Sequence, residues 1–254
     1  MSTNTLDIEL SAPVNLRDLG GIPVAGGLLR EKMAIRTDDL AYVTDQVATQ
    51  LVADGLDAII DLRSPLEVTT TGRGPLGSLP VNYHHLPLLN DIASQTPGNP
   101  GELTHEAMGG MYLGMIENCA PQLVTALNII AFTKGTTAFH CAAGRDRTGV
   151  LAAVLLLALG ASDQDIITDY ARTGNNMPAI MERNRPVMGA MWKALGIDVD
   201  QFNADGLLQG GMEISMRSTL TALRERHGDP LRPLLNAGLS ADTIAALRGK
   251  ALSQ

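Results

Sequence analysis

The segment His140-Cys-Ala-Ala-Gly-Arg-Asp-Arg-Thr-Gly149 holds a thiol and a guanidinium six positions apart, with a glycine between them and Thr-Gly at the end. Thr136 to Phe139 reads as a strand leading in, and Val150 to Leu159 as an apolar segment leading out. A strand that wraps straight into a helix aims several backbone N–H groups at one spot, where the positive end of the helix dipole adds to them. Cys141 stands at the mouth of this anion site, and a positive environment favours the thiolate. Arg147 offers a planar fork that grips two phosphoryl oxygens at once, a geometry lysine lacks. Gly144 lets the backbone close round the anion without a Cβ, and the Thr148 hydroxyl can donate to the sulfur. Sulfur attack on a phosphate monoester is the chemistry these residues suit. Ala142, Ala143, Gly144, Arg145 and Thr148 would then line the phosphate.

An isolated cysteine is usually a buried, inert one. Here two arginines and an aspartate share an apolar strand-to-helix turn, which is costly unless they bind something. Spacing separates the loop from two similar ones. Gly144 and Gly149 have the separation found in nucleotide-binding loops, but Val150-Leu151 follow in place of Lys-Ser/Thr. A sulfur-transfer loop of the form Cys-x4-Arg would need arginine where Asp146 stands.

The reaction also wants a proton donor for the leaving oxygen. Asp91 is one candidate, because it begins the loop that follows the strand Tyr83 to Leu88. Asp146 is the other; it can act as the acid itself, orient a water, or bind Arg145. Asp61-Leu-Arg-Ser64 ends a strand on the same side of a parallel sheet as the cysteine loop, where Arg63 would brace that loop or a carboxylate.

These groups need a scaffold. Short strands are expected around Met33 to Arg36, Asp57 to Leu62, Tyr83 to Leu88 and 136–140, with helices between them over Asp45 to Gly55 and Met111 to Phe132, the second broken near Pro121. Asn15 to Thr37 otherwise reads as an irregular lead-in with turns at Gly20-Gly21 and Gly26-Gly27. Asn90 to Gly110, rich in Pro, Gly, Ser and Thr, reads as a mobile flap. After helix 148–159 the chain reads as all helical: one helix starting at Ser162, one from Pro178 to about Leu195, then Met212 to His227 and Ala241 to Leu252. The expected fold is α/β, a central mostly parallel sheet flanked by helices, in a single domain over 1–254 whose 160–254 portion is helical.

The length of 254 residues permits a proper core. A net charge of −8 argues against nucleic acid as a partner and leaves no polybasic membrane anchor. Val150 to Leu159 is too short to span a bilayer, which takes ~20 residues, so no transmembrane segment is expected. Two cysteines make no disulfide framework, and Met1 to Pro13 has no apolar signal core. The expected location is the cytoplasm, with export lacking a cleaved signal left open. Oligomeric state has no signature. Three patterns read as noise. Gly72-Arg-Gly74-Pro-Leu-Gly77 matches a dinucleotide fingerprint, but Pro75 and Pro80 deny it the helix, which leaves a surface turn. His105-Glu106 starts a zinc-protease pattern that Gly109 ends, so no metal and no cofactor are expected. His84 and His85 alternate across a strand and cannot both face one site.

Taken together, the residues resemble the atypical bacterial cysteine-based tyrosine phosphatases. Asn15-Leu-Arg-Asp-Leu-Gly-Gly21 with Arg36-Thr37, Asp61-Leu-Arg-Ser64 with Glu67, the cysteine loop, Asp169-Tyr-x-x-Thr-Gly-Asn175 and Ala237 to Gly249 are similar to that family and follow in its order. The resemblance implies a cysteine-phosphatase fold and a metal-free cysteinyl-phosphate mechanism, with Cys141 as nucleophile and Arg147 as clamp. It maps Asp146 onto the family's loop aspartate and puts the general acid in the loop after the second strand, near Asn90 or Asp91. A basic residue at the Arg145 position is associated with phosphoinositide as well as phosphoprotein substrates. The implied partner is thus a phosphorylated protein or a phosphoinositide. The alternative is a catalytically silent module that binds phosphate.

Overall fold

The computed structural model describes residues 9–88, 104–194 and 211–252. Its first elements are β1 (Arg17–Asp18) and a ribbon of β2 (Pro23–Val24) and β3 (Gly27–Leu28), where the sequence indicated only turns. The sheet strands proper are β4 (Ala34–Thr37), β5 (Leu56–Asp61), β6 (Asn82–His85) and β7 (Thr136–His140). Sheet order is β1-β4-β7-β5-β6, with β1 antiparallel to β4 and every other pair parallel. Parallel strands need crossovers, which helices supply: α1 (Asp45–Ala53), α2 (Pro65–Thr71), α3 (His105–Asn118) and α4 (Ala120–Phe132). The central strand β7 then feeds α5 (Asp146–Leu159). The remaining helices are α6 (Asp163–Ala171), α7 (Met177–Ala194), α8 (Met212–His227), α9 (Arg232–Asn236) and α10 (Ala241–Leu252).

Strand alternation sorts the core onto two faces. Ile35, Ile59 and Ala138 turn to a small cluster under α1, while Ala34, Ile60 and Phe139 turn to the large one that α3 to α10 complete. Every residue of α5 from Val150 to Leu159 is buried. A helix apolar on all sides is a core helix, so the first turn of α5 is held by the buried turns that follow it. Register aligns Thr37, His140 and Asp61 in one row. The chain therefore leaves three adjacent strands at one carboxyl edge, the place where open α/β sheets carry their binding groups.

Several boundaries differ from the sequence reading. Helix α3 begins at His105, inside the stretch read as a flap, because the Thr104 side chain accepts from Ala107 N and caps it. The rest of that stretch, with Asp91, lies outside the described residues. The helical break falls at Cys119, while Pro121 sits in the first turn of α4, where a missing N–H costs nothing. Strand β6 stops at His85, short of Leu88. The Gly72 to Gly77 turn is not wholly a surface feature, since it includes a 3-10 helix, Gly74–Ser78, that buries Leu76 in the smaller cluster. Among the described residues no single helix is long and apolar enough to cross a membrane; α3 and α4 pass that test only as a pair bent by 77°.

Candidate functional site

The loop between β7 and α5 takes its shape from its carbonyls. Asn15 Nδ2 donates to Ala143 O at 3.3 Å and to Gly144 O at 3.2 Å, and Arg36 Nη2 donates to Gly144 O at 3.0 Å. Ala142 O accepts from Asn184 Nδ2 and from Asp39 N, each at 3.1 Å. In a trans peptide the C=O and the next N–H point opposite ways. With three carbonyls tied outward, the N–H groups of Ala143, Gly144 and Arg145 turn inward. Arg145 caps α5 without a side-chain bond to its first turn, which leaves those N–H donors for a ligand.

Gly144 makes this closure possible. Its φ is +66°, and a Cβ there would stand 2.4 Å from Thr37 O, a backbone atom that cannot swing away. Gly144→Ala should thus distort the loop, at a cost of about 1–3 kcal/mol in backbone strain alone. The expected result is a lowered melting temperature and a large fall in turnover; an unchanged kcat/KM would contradict the close approach.

Cys141 Sγ lies inside the loop and accepts a hydrogen bond from Thr148 Oγ1 at 3.2 Å. In the first turn of α5, Arg147 is held flat by Glu67: Nη1 to Oε2 is 2.5 Å and Nη2 to Oε1 is 2.8 Å. Glu67 is itself fixed by a capping box at the start of α2, where Ser64 N donates to its Oε2 and Ser64 Oγ accepts from its N. Burial works to raise the Glu67 pKa, but the Arg147 guanidinium and Ser64 together hold it below the ordinary value. For Arg147 the opposite balance holds, with Glu67 and the neighbouring Cys141 and Asp146 outweighing burial and raising its pKa.

Residues 8–253 match the profile of a tyrosine phosphatase family. The chain belongs to this family. It is 25% identical to the triple specificity protein phosphatase PtpB of Mycobacterium tuberculosis over 95% of this chain and 97% of that protein. A putative tyrosine-protein phosphatase of Cupriavidus necator is 30% identical over 65% of this chain; the match spans 62% of that relative's length, less than two thirds. A tyrosine-protein phosphatase of Nostoc commune is 26% identical over 84% of this chain and 72% of its own length.

In this family member two buried networks support the loop from outside. Asp169 binds Arg17 Nε at 2.8 Å and Arg36 Nη1 at 2.6 Å, and those two arginines overcome burial to hold its pKa low. His140 lies between Asp39 and Asp61, which Arg63 ties together through bonds of 2.9 Å and 2.6 Å. Arg63 thus braces carboxylates, as its position at the end of β5 indicated. Tyr83 adds a bond to Asp61 at 2.7 Å.

The loop's far side is different. Asp146 opens α5 with a side chain 31% exposed, accepts from the Tyr112 hydroxyl, and has Arg145 Nε at 3.5 Å. Arg145 is 5% exposed, and among the described residues its Nε and Nη2 have no hydrogen-bond partner, so two nitrogens of a buried cation go unpaired there. Tyr170 joins the group because Gly149 leaves room for its ring, which a Cβ would meet at 2.9 Å.

Cys141, Ala142, Ala143, Gly144, Arg145, Asp146, Arg147 and Thr148 are therefore gathered in one turn, while Asp91 lies outside the described residues. Asn15, Arg36, Glu67, Asp169 and Tyr170 stood out in the sequence only as parts of similar segments, without roles; Asn184 and Tyr112 did not stand out. For Glu67 a signal existed, since Ser64-x-x-Glu67 is a capping box. For Tyr112 none did: it occupies an apolar helix position, and nothing in its spacing distinguishes it from core.

Proposed function

We propose that this protein is a metal-independent phosphomonoester hydrolase, foremost a protein tyrosine phosphatase, working through a cysteinyl-phosphate intermediate. The observation that carries the reading is the Cys141 sulfur, hydrogen-bonded by Thr148 and set at the uncapped N-terminus of α5. Cys141 attacks phosphorus as the ester oxygen leaves with a proton from Asp146. The guanidinium of Arg147 and the inward N–H groups hold the three equatorial oxygens, whose charge grows in the transition state. Water then attacks the phosphocysteine, Asp146 takes its proton, and inorganic phosphate departs. The thiolate re-forms beneath the Thr148 hydroxyl. Asp146 is preferred over Asp91 as the acid because it stands in the loop itself with a part-exposed carboxylate.

The substrate range extends in this proposal to phosphoserine, phosphothreonine or phosphoinositides. A relative named a triple specificity protein phosphatase supports looking beyond phosphotyrosine, as does the cationic Arg145 beside the site. The test is phosphate release from phosphotyrosine, phosphoserine and phosphoinositide substrates by wild type, Asp146→Ala and Asp91→Ala. Asp146→Ala should lose about a hundredfold, at the low end of what a positioned acid supplies, with Asp91→Ala near wild type. The reverse pattern would hand the proton to Asp91, and no release from any substrate would end the phosphatase reading.

A further inference from the structure

Among the described residues, the one hydrogen bond to the Asp146 carboxylate falls on Oδ1. Tyr112 donates its hydroxyl to Oδ1, and Arg145 Nε faces the same atom at 3.5 Å. A phenol has a single proton. Since Tyr112 gives its proton to Asp146, the 2.7 Å contact between the Tyr112 and Tyr170 hydroxyls is donated by Tyr170. The Arg145 charge also acts on Tyr170, opposing the burial that raises its pKa. The result is a directed chain from Tyr170 through Tyr112 to Oδ1.

Both rings are buried, and they meet edge to face at 5.9 Å. Two phenylalanines could pack in that way. Hydroxyls in such a place cost stability unless paired, and the carboxylate on which this pair ends is Asp146. Burial first, and then the Asp146 charge, raise the Tyr112 pKa well above its ordinary value; burial also raises that of Tyr170. Both therefore stay protonated and keep donating.

We infer that Tyr112 is a positioning residue for proton transfer: by occupying Oδ1 it confines the exchangeable proton of Asp146 to Oδ2 and fixes where that oxygen points. The inference rests on Asp146 acting as the proton donor. In the first half-reaction the O–H bond on Oδ2 breaks as the leaving oxygen takes the proton. In the second, Oδ2 takes a proton from the water that attacks phosphorus, and the S–P bond breaks toward sulfur. Oδ1 stays an acceptor throughout. The carboxylate keeps one orientation on a helix that the core immobilises.

The experiment compares Tyr112→Phe with wild type on two aryl phosphates. One releases a phenol of high pKa, which needs the proton; the other releases a nitrophenolate, which leaves without it. The readout is kcat/KM, which reports the phosphorylation step. The expected loss is about tenfold on the first substrate, part of what a positioned acid supplies, and clearly smaller on the second. Tyr170→Phe leaves the bond to Oδ1 but removes the donor behind it, and should show the same selectivity more weakly. In an Asp146→Asn background, Tyr112→Phe should add no further loss on the first substrate.

Equal losses on both substrates would assign Tyr112 a structural role and overturn the inference, as would additivity with Asp146→Asn. So would an Asp146→Asn enzyme indifferent to the leaving group. If a Cys141→Ser protein turned over both substrates like wild type, the cysteinyl-phosphate reading would fall first; if only Tyr112→Phe departed from expectation, that reading would stand and this one would not.

Discussion

Cys141→Ser is expected to lower turnover of an aryl phosphate by about 10⁴- to 10⁶-fold, the range seen when an enzyme loses its nucleophile. A serine hydroxyl at the same place is nearly isosteric, but it stays protonated, and among the described residues no base is hydrogen-bonded at this position. Thr148 Oγ1, which donates to the sulfur at 3.2 Å, would then face another hydroxyl. Affinity for inorganic phosphate should survive, because the inward N–H groups, Arg147 and the start of α5 remain. Steady-state kinetics with isothermal titration of phosphate checks both halves. Turnover within tenfold of wild type would sink the mechanism, whereas lost turnover together with lost phosphate binding would point to a collapsed loop. Rapid quench of wild type should also trap phosphate on Cys141, which a silent phosphate-binding module would never show.

Glu67→Ala should be the second large effect. Glu67 and Arg147 are both buried and meet through two bonds of 2.5 Å and 2.8 Å. Removing one partner leaves a buried guanidinium without its counter-charge, which costs about 3–5 kcal/mol. The same change frees Arg147 to rotate out of the plane in which it meets a phosphoryl group, so kcat/KM should fall with stability. Bound phosphate should restore part of the lost stability, since it replaces the missing anion. A melting temperature within a degree or two of wild type would contradict this account.

The pair also sets a direction for pH. Glu67 has its pKa lowered in the folded state, since Arg147 and Ser64 outweigh burial. The folded protein thus binds the carboxyl proton less readily than the unfolded chain does, and stability rises with pH across the interval between the two values. The contribution is complete above the unfolded value, about 4.3, and is lost as pH falls below it and through the folded value. Acid unfolding of wild type should be steeper in this window than that of a Glu67→Gln protein, which carries no proton to gain.

How much of this could be read from the chain varies from element to element. Helices α8 and α10 were legible to the residue, Met212–His227 and Ala241–Leu252, because their apolar periodicity is regular and Gly211, Gly228, Ser240 and Ser253 flank them. Strand β7 and the loop after it were legible because a thiol, a glycine and two arginines within ten residues have few other uses. The start of α3 was not, since the cap at Thr104 lay in a stretch whose Ser, Thr, Gly and Pro content suggests loop. Similarly, Pro121 marked the helical break too late: proline is tolerated in a first turn, so the chain had already bent at Cys119.

Chemistry that lies within one turn of chain was determined by sequence alone. Cys141, Gly144, Arg147 and Thr148 are close because they are neighbours, and a strand-to-helix turn is enough to bring their functional groups together. Tertiary structure decided everything that depends on a partner from elsewhere. Glu67 reaches Arg147 across 80 positions, Tyr112 reaches Asp146 across 34, and Asn15 reaches Gly144 across 129. No local pattern encodes such a meeting. It follows from β4, β7 and β5 ending level at one edge of the sheet, and from a core that holds α5 fixed while three other elements close around its first turn. The sequence therefore carried the thiol and the loop around it, whereas only the folded chain settles which carboxylate flattens the arginine and which oxygen of Asp146 Tyr112 holds.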